Sequence, residues 1–287
     1  MSEIVQVVLN ISILFFMVGN LAGMGLELAM GEALVALRNV RFIVMTVVWG
    51  WVLCPSFAYL LVKIIPMEQP YAIGMILLGM TPCAPFTPMM VKKARGDLGY
   101  AGALMLLTAI GTVAFMPFAV PRMVAGLKAD AWVIGRPLLF FVLVPFLIGM
   151  VVKSFAEPVA SRLYPLVKKA TNISTVVMLV AMAIAYGEGF ISVIGSYAIG
   201  TQILFVGVVT LATYGLGFGL REEQKSVLSI GMCTRNLGAA IAPLMAIQAD
   251  SRSVVMVALG IPVTLIFSFL AACWYASHAP QDGPARG

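Results

Sequence analysis

In Leu228-Ser-Ile-Gly-Met-Cys-Thr-Arg-Asn-Leu-Gly-Ala-Ala-Ile-Ala-Pro243 an arginine, Arg235, lies inside an otherwise apolar segment of membrane length. A charged side chain at the centre of a membrane helix costs roughly 2.5 to 3.5 kcal/mol on insertion scales, so such residues are rare and usually functional. Gly231 and Gly238 flank the arginine and Pro243 follows it, which favours a break in the helix. The stretch therefore predicts an interrupted membrane span with a binding site at the interruption.

A second interrupted stretch, Thr81-Pro82-Cys83-Ala84-Pro85-Phe86-Thr87-Pro88, carries three prolines at a spacing of three. Proline has no N–H and clashes with the preceding helical turn, so these three prolines cannot all lie in one continuous helix. Backbone groups freed at membrane depth are tolerated only where the chain is buried in protein or lines a wet cavity. We therefore predict an extended segment here, at the counterpart of the break around Arg235.

The composition of the whole chain is that of a membrane protein. Hydrophobic residues make up 61% of the 287 positions and charged residues 10%, against about 25% charged in soluble domains. Because about 20 apolar residues span the hydrocarbon core, we predict an all-α protein with nine transmembrane helices. The nine runs cover approximately residues 4–28, 40–65, 71–91, 98–120, 132–152, 170–186, 190–220, 227–247 and 253–276.

Lys and Arg divide unevenly between the two sides of this layout. The side that holds the C-terminus carries twelve of them, and the other side carries Lys63, Arg122, Lys128, Arg136 and Arg252. The positive-inside rule then predicts an external N-terminus and a cytoplasmic C-terminal tail at residues 277–287, in a bacterial inner membrane. The net charge of +6 follows from this bias and from contact with anionic lipid, so no nucleic-acid partner is predicted.

The two interrupted spans are the third and the eighth, which lie five spans apart. A unit with an odd number of spans must insert in opposite orientations when it is repeated, as in the inverted repeats of many secondary transporters. Four spans would belong to the first half and five to the second. Either the first repeat has lost its opening helix, or the offset is a coincidence.

Arg235 has two possible roles in such a protein. As a fixed cation it would bind the carboxylate or sulfonate of a substrate. Alternatively it satisfies carbonyl groups orphaned at the two breaks, or pairs with a distant carboxylate. Further predicted substrate-binding residues at the same depth are Thr81, Cys83, Thr87, Cys233, Thr234 and Asn236. Asn20 in the first span is predicted either to face a cavity or to bond a neighbouring helix.

The residues give no indication of an enzyme, a metal site or a cofactor. The four cysteines form no CxxC motif or pairing pattern, and the chain has one histidine and few acids. We predict a secondary active transporter or facilitator. An arsenite-type exporter is the alternative in which Cys83 and Cys233 bind a soft metalloid.

Three segments resemble the bile acid sodium symporter family: Gly23-Met-Gly-Leu-Glu-Leu28, the stretch from Pro82 to Ala94-Arg-Gly-Asp97, and Gly231 to Ala240. The resemblance implies two broken helices that cross in a core domain, and a panel domain that moves against it to import organic anions with sodium. The panel would comprise the runs at about 4–28, 132–152 and 170–186, and the core the other runs, within one transmembrane domain at residues 1–276.

The sequence departs from that family where sodium binds. The positions that align with the family's sodium ligands are Gly50, Thr87, Pro88, Ala101, Met105, Ser229 and Cys233. A hard cation needs several oxygen ligands, which most of these side chains do not offer. We therefore predict transport of a small or amphipathic organic anion by alternating access, without the family's sodium sites. A sodium-coupled symporter with atypical sites is the alternative, and the substrate and any coupling ion stay open.

Overall fold

The computed structural model describes residues 3–28, 30–124 and 130–279. Described residues form helices joined by short turns, without a strand, which confirms the all-α prediction. Within the described ranges, seven helices are long and apolar enough to cross a membrane. The predicted tail lies outside the described residues from position 280 onward.

The helices follow one another with few intervening residues. They are α1 (Glu3–Glu27), α2 (Met30–Ala36), α3 (Val40–Val47), α4 (Cys54–Ile64), α5 (Gln69–Gly79), α6 (Thr87–Lys93), α7 (Leu98–Met123), α8 (Ala131–Leu138), α9 (Val144–Phe155), α10 (Glu157–Ser192), α11 (Ala198–Gly215), α12 (Glu222–Cys233), α13 (Leu237–Ala246) and α14 (Ser251–His278). Single π-helical segments, Val48–Leu53 and Leu139–Leu143, join α3 to α4 and α8 to α9 into two continuous helices.

Two of the predicted runs differ in extent from the helices observed. The sixth run begins near 170, whereas α10 begins at Glu157, because Pro158 is tolerated in the first helical turn. The first turns of α10 are polar and exposed. The hydrophobic run therefore begins only after them, although they already belong to the helix. The seventh run, 190–220, is too long: α11 covers only Ala198–Gly215 and follows a turn in which Tyr197 has a φ of 62°.

The two interruptions occur where proline and glycine predict them. The helix of the first interrupted run stops at Gly79 and resumes at Thr87, and that of the second stops at Cys233 and resumes at Leu237. None of the four half-helices, α5, α6, α12 and α13, is long enough to cross a membrane alone. These two runs are therefore not among the seven long helices.

Contacts at the two ends of the bundle fix the direction of the interrupted helices. At one end Arg252, at the start of α14, forms an ion pair with Glu68, just before α5. At the other end Arg95, after α6, lines a small pocket with Glu222, at the start of α12. The pair α5–α6 therefore runs from the first end to the second, and α12–α13 runs the opposite way.

Small residues bring α1 into backbone contact with its neighbours. A Cβ added at Gly25 would lie 2.2 Å from the carbonyl oxygen of Phe146, and one at Gly149 would lie 2.4 Å from that of Ala22. A Cβ at Gly19 would lie 2.2 Å from Oγ1 of Thr171, on α10. Close approach through small residues is the usual packing mode of membrane helices, and here it joins α1, α9 and α10.

Candidate functional site

The backbones of the two breaks pair with each other at the centre of the bundle. Pro82 and Arg235 form an isolated antiparallel bridge. The amide of Asn236 donates to the carbonyl of Thr81 over 2.8 Å, and that of Cys83 donates to the carbonyls of Gly231 and Thr234, both over 2.9 Å. Cys83 has a φ of 68°, in the left-handed region. The polar groups that each break frees are thus satisfied largely by the other break, as a buried interruption requires.

Side-chain hydroxyls complete this pairing. The Oγ1 atoms of Thr87 and Thr234 lie 2.8 Å apart, and Thr234 Oγ1 also accepts the amide of Ala84 over 3.2 Å. Asn236 caps α13 by accepting the amide of Ala239 over 3.1 Å. The side chains of Thr87, Thr234 and Asn236 are buried, so in this structure their polar groups are bonded within the protein.

Arg235 lies within the same crossing and is 1% exposed. Its Nη2 donates to the carbonyl of Met232 over 2.5 Å and to Sγ of Cys54 over 3.4 Å, and its Nη1 donates to the carbonyl of Gly79 over 3.4 Å. The guanidinium carbon lies 4.8 Å from the centre of the Phe205 ring. Gly79 ends α5 and Met232 lies in the last turn of α12, so the cation faces the partial negative charge of two helix C-termini.

The usual donors to these two carbonyls are engaged elsewhere. In a continuous helix, the amide of Cys83 would donate to the carbonyl of Gly79, four residues earlier. The amide of Asn236 would likewise donate to the carbonyl of Met232. Both amides instead donate across the crossing. Of the roles weighed for Arg235, the satisfaction of orphan carbonyls therefore matches the observed contacts.

Arg235 has no carboxylate partner among the residues that the structure describes. It is also the one buried charged side chain in that part of the protein. Its Nε is buried without a hydrogen-bond partner. Direct contact of Arg235 with a substrate anion stays a prediction.

Among the positions that align with sodium ligands, Gly50 lies at the crossing. A Cβ at Gly50 would lie 3.5 Å from Cγ of Pro82 and 3.7 Å from Cε of Met232, so Gly50 abuts both breaks. Ala101 and Met105 are buried apolar side chains of α7. The hydroxyl of Ser229 is occupied by the carbonyl of Thr210 at 2.8 Å and by the hydroxyl of Tyr275 at 2.6 Å.

Four other predicted site residues are either bonded within their own helix or buried. Asn20 donates to the carbonyl of Phe16, one turn earlier in α1, over 2.8 Å. Thr81 bonds back to the carbonyl of Leu77 over 3.2 Å. Cys83 and Cys233 are buried, and no group of three or more His, Cys, Asp or Glu side chains able to hold a metal occurs in the described ranges.

A feature that the sequence did not indicate is a cavity of about 720 Å³ between α1, α8 and α13. Its lining by described residues is almost entirely apolar, and Arg136 is the one charged side chain among them. In the sequence Arg136 counted only as a charge near the end of a span. Its place beside Pro137, within an apolar run, is the signal that could have indicated a site.

Sequence similarity to known proteins extends over most of this chain. The sequence model of the sodium bile acid symporter family matches residues 12–193, which include the first break and end before the second. The probable sodium/metabolite cotransporter BASS3, chloroplastic, of Arabidopsis thaliana is 23% identical over 267 residues, or 89% of this chain and 61% of that protein. The chain thus spans about three fifths of the length of that relative. Because the family match extends over more than half of the chain, this protein belongs to the sodium bile acid symporter family.

Proposed function

We propose that this protein is a secondary transporter or facilitator that moves an organic anion by alternating access, and that Arg235 replaces the cation of the family's sodium sites. The observation that carries the proposal is the guanidinium at the helix crossing, bonded to the carbonyls of Gly79 and Met232. These carbonyls belong to the ends of two different half-helices.

A sodium ion would compete poorly with a tethered guanidinium. Two like unit charges about 4 Å apart repel by about 4 kcal/mol at an effective dielectric constant of about 20. Sodium sites need several oxygen ligands, preferably with negative charge. No carboxylate is buried among the described side chains, and Gly50, Ala101 and Met105 offer no side-chain oxygen.

The proposal includes nine membrane crossings in an inverted repeat. Seven would be the long helices, and the pairs α5–α6 and α12–α13 would complete the other two. Two observations support this layout. The breaks pair in antiparallel fashion at Pro82 and Arg235, and the two pairs run in opposite directions between the ends of the bundle. Opposite direction is what a pseudo-two-fold axis in the membrane plane requires.

We further propose that the predicted panel, at about 4–28, 132–152 and 170–186, moves against a core made of the other spans. The backbone contacts through Gly25 and Gly149 would keep the panel together as it moves. The N-terminus would be external and the basic-rich end cytoplasmic. The transported compound would be an organic anion, a proposal that draws on the family and on the relative described as a sodium/metabolite cotransporter.

Uptake into proteoliposomes tests sodium independence. Purified protein would be reconstituted in phosphatidylcholine vesicles, and uptake of radiolabelled aromatic, alicyclic and short-chain carboxylates measured with an inward gradient of sodium, potassium or choline. We expect at least one acid to be taken up equally with all three cations. Stimulation of that uptake several-fold by sodium alone would instead indicate a symporter with atypical sites.

A double substitution tests the metalloid alternative. If Cys83→Ser combined with Cys233→Ser leaves carboxylate uptake intact, the thiols do not carry the transported species. Accumulation of arsenite by wild-type vesicles, lost in the double variant, would contradict the organic-anion proposal.

A further inference from the structure

We propose that α10 carries a binding site for an anionic glycerophospholipid, in which two cations contact the headgroup and apolar side chains farther along the helix contact an acyl chain. The site consists of six exposed residues, called here the α10 strip: Arg162, Leu166, Lys169, Ile173, Val176 and Val180. At about 100° per residue they lie within about 80° of one another around the helix axis. The site does not depend on the proposed transport function.

The apolar part of the α10 strip faces away from the protein. Leu166, Ile173, Val176 and Val180 are each more than half exposed. The last three lie in the hydrophobic run at about 170–186, which is part of a helix long and apolar enough to cross a membrane. Side chains exposed at that depth contact acyl chains. One chain of a bound lipid can therefore lie along them.

Contacts with α1 place the cations of the α10 strip where the membrane-crossing part ends. Gly19 faces Thr171, and a Cβ at Gly23 would lie 3.8 Å from Cγ1 of Val167, so the two helices run antiparallel in a fixed register. Continued by one more turn, this register sets Arg162 level with the end of the first predicted span. Arg162 thus lies at the depth of lipid headgroups.

Lys169 lies two helical turns from Arg162, or about 10 Å along the axis at 1.5 Å per residue. The headgroup region of each leaflet is about 5 to 8 Å thick. Because Cβ atoms tilt toward the N-terminus of a helix and long lysine side chains extend toward water, Lys169 reaches back toward Arg162. The neighbouring Lys168 has this direction, since its Nζ donates to the hydroxyl of Tyr164, one turn earlier, over 3.0 Å. Both cations of the strip can therefore contact one headgroup.

The two cations of the α10 strip take part in no ion pair among the described residues, whereas Lys153 of α9 is paired with Glu157 over 2.8 Å. No acidic residue occurs between positions 158 and 187. Glu27 of α1 acts on Lys168, which lies on the opposite side of α10. The arginine is therefore available to donate two parallel hydrogen bonds to a phosphate, and the lysine to attract it as a point charge.

The turn between α9 and α10 also has the character of a membrane surface. Phe155 is 87% exposed, and Val159 is about half exposed. Exposed apolar side chains beside basic ones are typical of surfaces that lie in the headgroup region. Because α1, α9 and α10 contact one another closely through small residues, a lipid on the α10 strip would hold this group of helices at one depth.

Thermal unfolding in dodecyl maltoside micelles tests the site, with dioleoylphosphatidylglycerol as the probe and dioleoylphosphatidylcholine as the zwitterionic lipid with the same chains. The anionic lipid alone should raise the melting temperature of the wild type. The double variant Arg162→Gln, Lys169→Gln should need about tenfold or more of that lipid for the same rise, because two charged contacts are lost. Arg38→Gln with Lys92→Gln is the matched control, since it removes two exposed cations outside α10.

Three further arms identify the ligand. Exchange of the two cations, Arg162→Lys with Lys169→Arg, should keep the response to the anionic lipid. Leu166→Glu, which sets a negative charge between the cations, should abolish it. Excess inorganic phosphate should leave the response unchanged, because the occupant is a lipid with its chains and not a free anion.

The lipid site is refuted if both lipids stabilise the wild type alike, if Leu166→Glu responds like the wild type, or if inorganic phosphate displaces the lipid. Equal loss of the response in the two double glutamine variants would indicate diffuse surface charge and would also refute it. Each arm measures binding without transport. Stimulation of uptake by sodium would therefore contradict the proposed function and leave the lipid site intact.

Discussion

Substitution Arg235→Met removes the guanidinium while keeping a long side chain. It therefore tests the hydrogen bonds of Arg235 at the crossing while largely preserving the volume of the side chain. The carbonyls of Gly79 and Met232 would lose this donor, and their usual helical donors, the amides of Cys83 and Asn236, are engaged across the crossing. A buried polar group left without a partner costs about 1 to 3 kcal/mol, so the two carbonyls together cost about 2 to 6 kcal/mol.

An opposing effect is the desolvation of the arginine itself. Replacement of a complete buried ion pair by hydrophobic side chains is often neutral, or stabilising by about 1 to 4 kcal/mol, because both charges are removed together. Here the partners are backbone carbonyls at helix ends, which no substitution removes. We therefore expect Arg235→Met to destabilise the protein by about 2 to 4 kcal/mol.

Unfolding in mixed detergent micelles, followed by tryptophan fluorescence, measures this difference. Arg235→Lys keeps the charge but reaches fewer acceptors, so it should fall between the wild type and Arg235→Met. Arg252→Met is the control, because Arg252 forms an exposed ion pair at the end of the bundle and such pairs contribute about 0 to 1 kcal/mol. If Arg235→Met is as stable as Arg252→Met, the guanidinium does not hold the two helix ends.

A further variant, Arg235→Ala, tests whether the guanidinium replaces a cation. Arg235→Ala leaves the carbonyls of Gly79 and Met232 facing an empty space, where a small cation could bind. Added guanidinium ion, and to a lesser degree sodium, should raise the melting temperature of Arg235→Ala and leave that of the wild type unchanged. Equal stabilisation of both proteins by sodium would refute the replacement.

Three further pairs of substitutions test the packing of the breaks and of α1. Gly25→Val should prevent stable folding, because a Cβ there meets the backbone of Phe146 at 2.2 Å, whereas Gly23→Ala should be tolerated, since its Cβ has 3.8 Å of room; expression and gel filtration distinguish the two. Thr234→Val should cost about 1 to 3 kcal/mol of unfolding free energy and Thr234→Ser much less, because the hydroxyl accepts the Ala84 amide. Cys83→Gly should raise the melting temperature relative to Cys83→Ala, since the φ of 68° suits glycine.

The breaks could be predicted from the sequence because their causes are local. Proline at three nearby positions excludes a continuous helix whatever surrounds it, and glycine on both sides of Arg235 weakens the second helix. The long helices were predicted for a similar reason, since hydropathy over about 20 residues is a property of one segment. The start of α10 was missed because its charged first turns lie outside the hydrophobic signal that defines a span.

The contacts of the site could not be predicted, because they join residues that are distant in the sequence. Cys54 and Phe205 meet the Arg235 guanidinium from α4 and α11, and nothing in their own segments indicates this. The cavity likewise depends on three elements that lie more than 100 residues apart along the chain. Arg136 illustrates the difference: its charge was visible in the sequence, but the apolar wall around it appears only when α1 and α13 pack against α8.

A tethered cation has a consequence for the energetics of transport. A sodium ion drives transport because it binds on one side of the membrane and dissociates on the other. The free energy released is about 1.4 kcal/mol for each tenfold concentration gradient of sodium. Arg235 cannot dissociate, so it supplies charge at the crossing without drawing on any gradient. The described part of the chain also holds no buried carboxylate that could carry a proton.

Under the proposed function we therefore expect exchange or downhill movement of anions. Vesicles preloaded with an unlabelled acid should take up the same labelled acid several-fold faster than empty vesicles, because the loaded carrier returns with an anion bound. Uphill accumulation in empty vesicles, driven by an imposed sodium or proton gradient, would mean that a mobile cation still binds, and that the fixed charge of Arg235 has not replaced it.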